Sequence, residues 1–175
     1  GLSLVPLKFG ISFTATHLNQ GGALLVVYMD GSVSCNHGGT EMGQGLNTKM
    51  AQVCADGLGI SVDHVRITAT DSQKVPNASA TSASSGADIN GAAIMNATAQ
   101  MRERLKPVAA RMLGCAEGDV TFANNEVHGG GKSVKWADVT KQAWLDRVGL
   151  SVTGFYMTPE IKYDFTTLNG RAFYY

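Results

Sequence analysis

Residues 38–49 read Gly-Gly-Thr-Glu-Met-Gly-Gln-Gly-Leu-Asn-Thr-Lys, and this stretch constrains the fold more than any other. An alternating apolar run leads into it and an amphipathic run leaves it, which predicts a strand, a tight glycine turn and a helix start. Four of the first eight residues are glycine. Without Cβ atoms in the way, the backbone N–H groups of 42–45 can lie against a ligand. A helix N-terminus adds partial positive charge and unpaired donors, which suits an anionic group. Gln44 contributes an amide that both donates and accepts. The same residues would also serve as a glycine hairpin entering an ordinary helix, and the motif alone does not decide between the two.

Around this stretch the pattern predicts an α+β chain. Residues 5–9 read as extended, and 9–14 (Phe-Gly-Ile-Ser-Phe-Thr) alternate large and small side chains. A strand over 23–29 turns at Asp30-Gly31, a type I′ hairpin signal, and returns over 32–36. A helix over 45–58 places Leu46, Met50, Val53 and Cys54 on one face, with Gly59 as its stop. A strand within 62–70 puts Val65, Ile67 and Ala69 on one face. Residues 76–86 (Pro-Asn-Ala-Ser-Ala-Thr-Ser-Ala-Ser-Ser-Gly) then form a second unusual loop. Its composition is that of a flexible linker, but its place between two patterned elements favours a smooth, hydroxyl-rich, close-fitting surface. A long helix over 87–113 carries Ile94, Met101, Leu105, Val108 and Met112 on one stripe. Pro107 is expected to kink that helix, and Gly114 to stop it. Residues 120–122 and 126–128 pair as a hairpin, a last helix covers 136–147, and 149 onward is extended. The chain stops at Tyr174-Tyr175 with no terminating signal, so a truncated end is expected. The expected architecture is two or three short mixed or antiparallel sheets with two main helices packed on them.

Composition excludes several classes of function. A length of 175 residues suits one domain with a real core. With 44% apolar residues, 16% charged residues and zero net charge, the chain has no electrostatic reason to bind nucleic acid or an anionic membrane. No apolar run approaches the roughly 20 residues of a membrane span, and no signal-peptide pattern opens the chain. Three cysteines, Cys35, Cys54 and Cys115, lie far apart, which argues against a disulfide framework and fits a reducing compartment. His17, His37, His64 and His128 lack ligand spacing, so no metal site is expected from protein side chains. Gly129-Gly130-Gly131-Lys132-Ser133 imitates the end of a phosphate-binding loop, but Glu126 stands where the pattern needs glycine, and a hairpin turn is the expected structure. The serines of 79–85 lack a nucleophile elbow. Glu41, next to so many backbone donors, is expected to be a structural acceptor rather than a general base.

Two glycine- or serine-rich loops each follow a strand and each feed a helix start. If their strands share a sheet, both helix starts emerge near one edge, and their donors suit a large polar anionic ligand. Two plain helix caps, with Ser84 or Ser85 capping the second, would look the same in sequence.

Residues 9–14, 37–45 (His-Gly-Gly-Thr-Glu-Met-Gly-Gln-Gly) and 75–84 resemble the cofactor-binding portion of the molybdenum hydroxylases, the family of xanthine dehydrogenase, xanthine oxidase and aldehyde oxidase. Residues 154–160 (Gly-Phe-Tyr-Met-Thr-Pro-Glu) are similar to a further segment of that family. The resemblance runs in order along essentially the whole chain, and Phe-Gly-Ile-Ser-Phe-Thr points to its xanthine-oxidising branch. It implies that 1–175 is one fragment of a molybdopterin-binding domain. Within it, 1–22 would be a substrate-channel segment, 23–148 an α+β core, and 149–175 an extended segment leading onward. It implies that Met42, Gly43 and Gln44 meet the molybdenum–molybdopterin cofactor, and that Thr81, Ser82, Ala83 and Ser84 lie against its pterin–molybdenum side. Phe13 would stack on a flat purine and Thr14 would hydrogen-bond it. His17 stands where relatives carry an aromatic residue.

The same resemblance implies hydroxylation of a ring carbon of a xanthine- or hypoxanthine-type purine, with a glutamate as proton acceptor. That glutamate belongs to a Gly-Glu-Pro-Pro-type segment that this sequence lacks, so no catalytic residue is expected here and the isolated piece is expected to be inactive. FAD and 2Fe–2S centres, NAD or another electron acceptor, and the rest of the molybdenum subunit are the implied partners, in the cytoplasm. Three alternatives stay open: an aldehyde oxidase-type hydroxylase, a non-catalytic module for an anionic ligand, and an assembly domain with no ligand.

Overall fold

The structure, a computed structural model, describes residues 1–7, 9–11 and 13–174. Lys8, Ser12 and Tyr175 lie outside the described residues, and with them one position of the expected 9–14 pattern. In chain order the elements are β1 (Gly10–Ile11), β2 (Gln20–Val27), β3 (Val33–His37), α1 (Leu46–Leu58), β4 (Val65–Ile67) and α2 (Gly86–Leu113). They continue with β5 (Thr121–Ala123), β6 (Glu126–Gly129), β7 (Lys132–Lys135), α3 (Trp136–Leu145), β8 (Ser151–Met157), β9 (Lys162–Asp164), β10 (Asn169–Arg171) and β11 (Phe173–Tyr174). The fold is α+β, as the sequence pattern predicts.

The central sheet has the order β4-β3-β2-β8, with β2 antiparallel to both neighbours and β4 parallel to β3. Parallel pairing needs a crossover, and α1 supplies it between β3 and β4. Alternation along β2 turns Ala23, Leu25 and Val27 into the core, where they join Met50, Cys54, Ile94, Ala97 and Met101. Each fully buried large side chain here contributes about 1.5–3 kcal/mol. The helices approach the sheet closely because small residues let them. A Cβ on Gly154 of β8 would lie 2.0 Å from the Ala93 carbonyl of α2, and one on Gly21 of β2 would lie 2.7 Å from Ile89. Cys35 and Cys54 meet in this core, and their mutual hydrogen bonding and burial push the Cys54 thiol up, which leaves it unreactive.

β5, β6 and β7 form a separate antiparallel sheet that closes one end of the core. Phe122 and Trp136 meet there edge to face, ring centroids 6.3 Å apart. β1 pairs with β11, and β9 with β10, so the described residues hold four sheets and three helices. β2 spans the expected boundary between residues 22 and 23, and β8, which lies beyond residue 149, belongs to the central sheet.

Several local expectations need correction. The Asp30-Gly31 turn is not type I′. Gly31 adopts a positive φ of 86° and Asp30 does not. Gly31 N–H donates to Tyr28 O (3.0 Å) and Tyr28 N–H to Ser32 O (2.9 Å), which makes a type I turn followed by a glycine bulge. The hairpin turn expected at Gly129–Ser133 is present, with Gly130 and Gly131 both at positive φ, but it leads into β7, a strand the charged sequence hid. Residues 62–64 form a 3₁₀ turn, and Ala69 lies beyond the short β4. Met112 is 39% exposed and falls off the core stripe of α2. α2, by contrast, runs to Leu113 with Pro107 inside it and stops at Gly114 as expected. α3 ends at Leu145 and not at Arg147, whose φ of 60° is incompatible with helix.

Candidate functional site

The two loops meet at the ends of β3 and β4 that lead to the starts of α1 and α2. Thr40 N–H of the first loop donates to Thr81 Oγ1 of the second (2.8 Å). Buried Asn90 of α2 bridges both: its Oδ1 accepts from Gly38 N–H (3.1 Å) and its Nδ2 donates to Gly86 O (2.8 Å). A Cβ on Gly38 would lie 2.7 Å from Ala78 Cβ, so glycine is what lets the loops touch.

The first loop is braced from within. Gly45, at φ 76°, sits at the N-cap of α1 and has no side chain to cap it. Glu41 does the capping instead, accepting from Gly43 N–H (2.8 Å), Gly45 N–H (3.0 Å) and Asn47 N–H (2.9 Å). The Asn47 N–H, with those of Gly45 and Gly43, holds the Glu41 carboxyl below the usual glutamate range. Glu41 is thus a structural acceptor and not a poised base. Gln44 Oε1 accepts from Met42 N–H (2.6 Å) and its Nε2 donates to Thr40 O (2.9 Å). This corrects the expectation of bare amides over 42–45: those of Met42, Gly43 and Gly45 are already engaged, and the positive end of α1 already faces a carboxylate.

The second loop is the opposite. Ala83 and Ser84 both stand at φ 56°, a left-handed conformation costing about 1–2 kcal/mol per non-glycine residue. Ser85 is the N-cap of α2 but makes no side-chain cap; its Oγ–H donates to Ser82 O (3.0 Å). The first helical bond is Ile89 N–H to Ser85 O. Among the described residues, no protein acceptor meets the first-turn N–H groups of Gly86 and Ala87. Burial pushes the Asp88 carboxyl up, with Lys49 acting against that shift.

Between the loops lies a cavity of about 350 Å³ lined by Met42, Gln44, Leu46, Lys49, Thr81, Ser82, Ser84, Gly86 and Ala87. Ser82 also lines a much smaller adjoining pocket, about 20 Å³, with Phe13, Leu18, Asn19, Ala80, Ala83 and Ser85. The structure therefore brings Met42, Gln44, Thr81, Ser82 and Ser84 together, and sets Ala83 beside Phe13. Phe13 is 47% exposed, and its carbonyl accepts from Asn19 Nδ2 (2.8 Å). Gly43 and Thr14 line neither space, and Thr14 is exposed. A larger cleft of about 640 Å³ lies at the opposite end of β2, bounded by Tyr28, Met29 and Trp144, without glycine loops or helix starts.

The sequence pointed less clearly to the buried residues behind the loops. His37 and Asn90, 1% and 7% exposed, occupy core-facing positions of β3 and α2. A polar residue continuing the inward alternation Val33, Cys35, His37, or set four residues before Ile94 on a buried helix face, is the signal that marks them.

An α+β layer that presents two converging loops and an uncapped helix start to one cavity is the architecture of a cofactor-binding domain. Residues 1–175 match the family described as molybdopterin cofactor-binding domain. The chain belongs to that family. It is 46% identical over 175 residues to xanthine dehydrogenase/oxidase of Felis catus, covering all of this chain and 12% of that protein. It is 42% identical over 175 residues to xanthine dehydrogenase of Oryza sativa subsp. japonica, again over all of this chain and 11% of the relative. The chain thus spans a small part of the relatives it matches. Among solved structures, quinoline 2-oxidoreductase from Pseudomonas putida 86 superposes with a TM-score of 0.74 at 26% identity, covering 87% of this chain and 22% of that one. A Cu,Mo-CO dehydrogenase shares the fold, with a TM-score of 0.73 at 24% identity over 83% of this chain and 19% of its own.

Proposed function

We propose that this chain is one wall of the molybdenum–molybdopterin site in a xanthine dehydrogenase-type molybdenum hydroxylase. The observation that carries the proposal is the cavity between the loops, which is lined together by the uncapped start of α2, Lys49 and the hydroxyl residues Thr81, Ser82 and Ser84. The donor set fits the group. A pterin edge needs paired donors and acceptors, and its phosphate end needs N–H groups and a cation. The uncapped start of α2, Thr81, Ser82, Ser84, Gln44 and Lys49 offer these. Gly86 leaves room for close approach, since a Cβ there would already lie 3.2 Å from Thr81 Cγ2.

The residues divide the work. Ser84, Gly86 and Ala87 direct backbone donors at an anionic edge. Met42 and Gln44 form the opposite wall, and Ala83 with its small neighbours admits a planar group. Gly43 acts through loop shape, because its N–H is held by Glu41. Phe13 supplies a half-exposed aromatic face beside Ala83 for a flat purine, with Thr14 on the substrate side. When bound, the molybdenum–pterin group supplies the oxidising centre for hydroxylation of a ring carbon. The glutamate that accepts the proton, the FAD and 2Fe–2S centres, and the site for NAD or another acceptor belong to the rest of the parent protein. A cytoplasmic setting accords with free Cys35, Cys54 and Cys115.

The test is metal and pterin analysis of the purified parent protein, with steady-state turnover of xanthine and of a small aliphatic aldehyde. Stoichiometric molybdenum and pterin with preference for xanthine is expected. Absence of both would overturn the cofactor reading, and preference for the aldehyde would overturn the purine one.

A further inference from the structure

Behind the glycine loop lies a group that no part of the cofactor wall uses. His37, the last residue of β3, is 1% exposed. Gly39 N–H donates to His37 Nδ1 (3.1 Å), so Nδ1 must present a lone pair. The ring proton then belongs on Nε2, which lies 3.2 Å from the acceptor Asn47 Oδ1. Asn47 N–H in turn donates to Glu41 Oε2. One chain of hydrogen bonds therefore runs from Gly39 through His37 and Asn47 to the carboxylate that holds the loop. Gly39 has no slack. A Cβ there would lie 2.5 Å from Leu46 Cδ2, 2.9 Å from Asn90 Nδ2 and 3.2 Å from His37 Nδ1. The Thr70 hydroxyl adds a clasp from outside, 3.0 Å from His37 O and 2.7 Å from Gly39 O.

We propose that His37 is the positioning residue of the cofactor cradle: a neutral imidazole, protonated on Nε2, that fixes the glycine loop between α1 and α2. The proposal rests on the cofactor reading above. It explains why an imidazole occupies this core position: it accepts at one nitrogen from the residue two places on and donates at the other to α1. A proton added to Nδ1 would set two donors, His37 and Gly39, against each other. Burial holds the His37 imidazole below its usual range, with the Asn47 hydrogen bond and the Glu41 charge acting in the opposite sense. Glu41 is the charged group that faces it from the loop. Asn47 of α1 and Asn90 of α2 are neutral, and the nearby ionisable groups of those helices, Lys49 and Asp88, act on one another. The neutral form is thus the folded form, and the loop loosens as pH falls through the depressed ionisation of His37.

Variants of the full parent protein separate this role from general stability. His37→Asn places an amide oxygen near the position of Nδ1 and keeps the acceptor for Gly39. His37→Gln reaches the position of Nε2 and keeps the donor to Asn47 but loses that acceptor. Met50→Ala removes a buried side chain of α1 and leaves all of these hydrogen bonds in place. Molybdenum and pterin content, and the hydrogen exchange of the Gly39 amide, are read from pH 5 to 8. Wild-type protein should lose cofactor on acidification. His37→Asn should retain cofactor and lose that acid sensitivity. His37→Gln should show roughly tenfold lower occupancy and roughly tenfold faster Gly39 exchange, the scale of one buried hydrogen bond. Met50→Ala should lower the melting temperature without altering the acid profile. Wild-type behaviour of His37→Gln, or an unchanged acid loss in His37→Asn, would overturn the proposal. If the wild-type parent holds neither molybdenum nor pterin, the cofactor reading falls, and Gly39 exchange in His37→Asn against His37→Gln still decides the role of His37.

Discussion

The two loops that face each other across the cavity solve the same geometric problem by opposite means. The first, over residues 38–45, places glycine where φ is positive, at Gly43 and Gly45, and meets its own amides with Glu41 and Gln44. The second, over 76–85, places Ala83 and Ser84 in left-handed conformations and leaves the start of α2 uncapped. A loop that satisfies itself is rigid without a ligand. One that holds strain and open donors has something to gain from a ligand. The comparison separates a glycine-rich loop, the more conspicuous in sequence, that braces itself, from a serine-rich loop that keeps its donors open, which is the division of labour proposed above.

The harshest test of the frame is Gly43→Val. Nothing lies within 4 Å of a Cβ at Gly43, so any damage comes from its φ of 93° and not from a clash. A β-branched residue at positive φ costs at least about 2 kcal/mol. Molybdenum content of the parent protein should fall by at least about tenfold, since 1.4 kcal/mol is a factor of ten. Normal loading would show that the frame need not be rigid.

The second loop should respond with the opposite sign. Ala83→Gly relieves a left-handed alanine, offset by the greater freedom of glycine in the unfolded chain, for a net gain of up to about 1 kcal/mol. Thermal melts of the cofactor-free protein should show the gain. A loss of stability would mean that the alanine methyl packs more usefully than its backbone strains.

A smaller difference appears in acid. The Glu41 carboxyl has a lowered folded-state pKa, so its support of the first loop is complete above the ordinary value of 4.5 and fades as pH falls through the folded value. The Asp88 carboxyl at the second loop has a raised folded-state pKa against an ordinary value of 3.8. Its protonation therefore favours the folded form as pH falls toward that value. After correction for intrinsic rates, amide exchange at 43–47 should quicken in a further step as pH falls below 4.5, that of 89–91 should not, and Glu41→Gln should abolish that step while leaving the His37 response at higher pH in place.

Much of this comparison was readable in the residues, and the unreadable part has physical causes. Gly59 and Gly114 end α1 and α2 in left-handed caps because each follows an apolar stripe that stops there. Of the residues singled out by the resemblance of 37–45 and 75–84 to molybdenum hydroxylases, Met42, Gln44, Thr81, Ser82 and Ser84 line the cavity and Gly43 and Ala83 do not. Sequence could not tell that Glu41 and Gln44 spend the amides of their own loop, because this depends on where a short turn folds back. β7 escaped notice since Lys132, Ser133 and Lys135 carry no apolar alternation and the strand is defined by pairing with β6. β8 escaped as a core strand because its partner β2 lies far off in sequence. His37 and Asn90 are polar residues in apolar patterns, legible as oddities, but not as the partners of Gly39 and Asn47 in one case and of Gly38, 52 residues away in the chain, in the other.

The most direct measurement is amide hydrogen exchange in the parent protein, cofactor-loaded against cofactor-free. Strong added protection is expected at Ser84, Gly86 and Ala87 in the loaded protein, and little change at Gly43, Gly45 and Asn47, whose amides already bond to Glu41. Added protection at 43–47 with none at 84–87 would contradict this expectation, and would make the glycine loop the receiving surface.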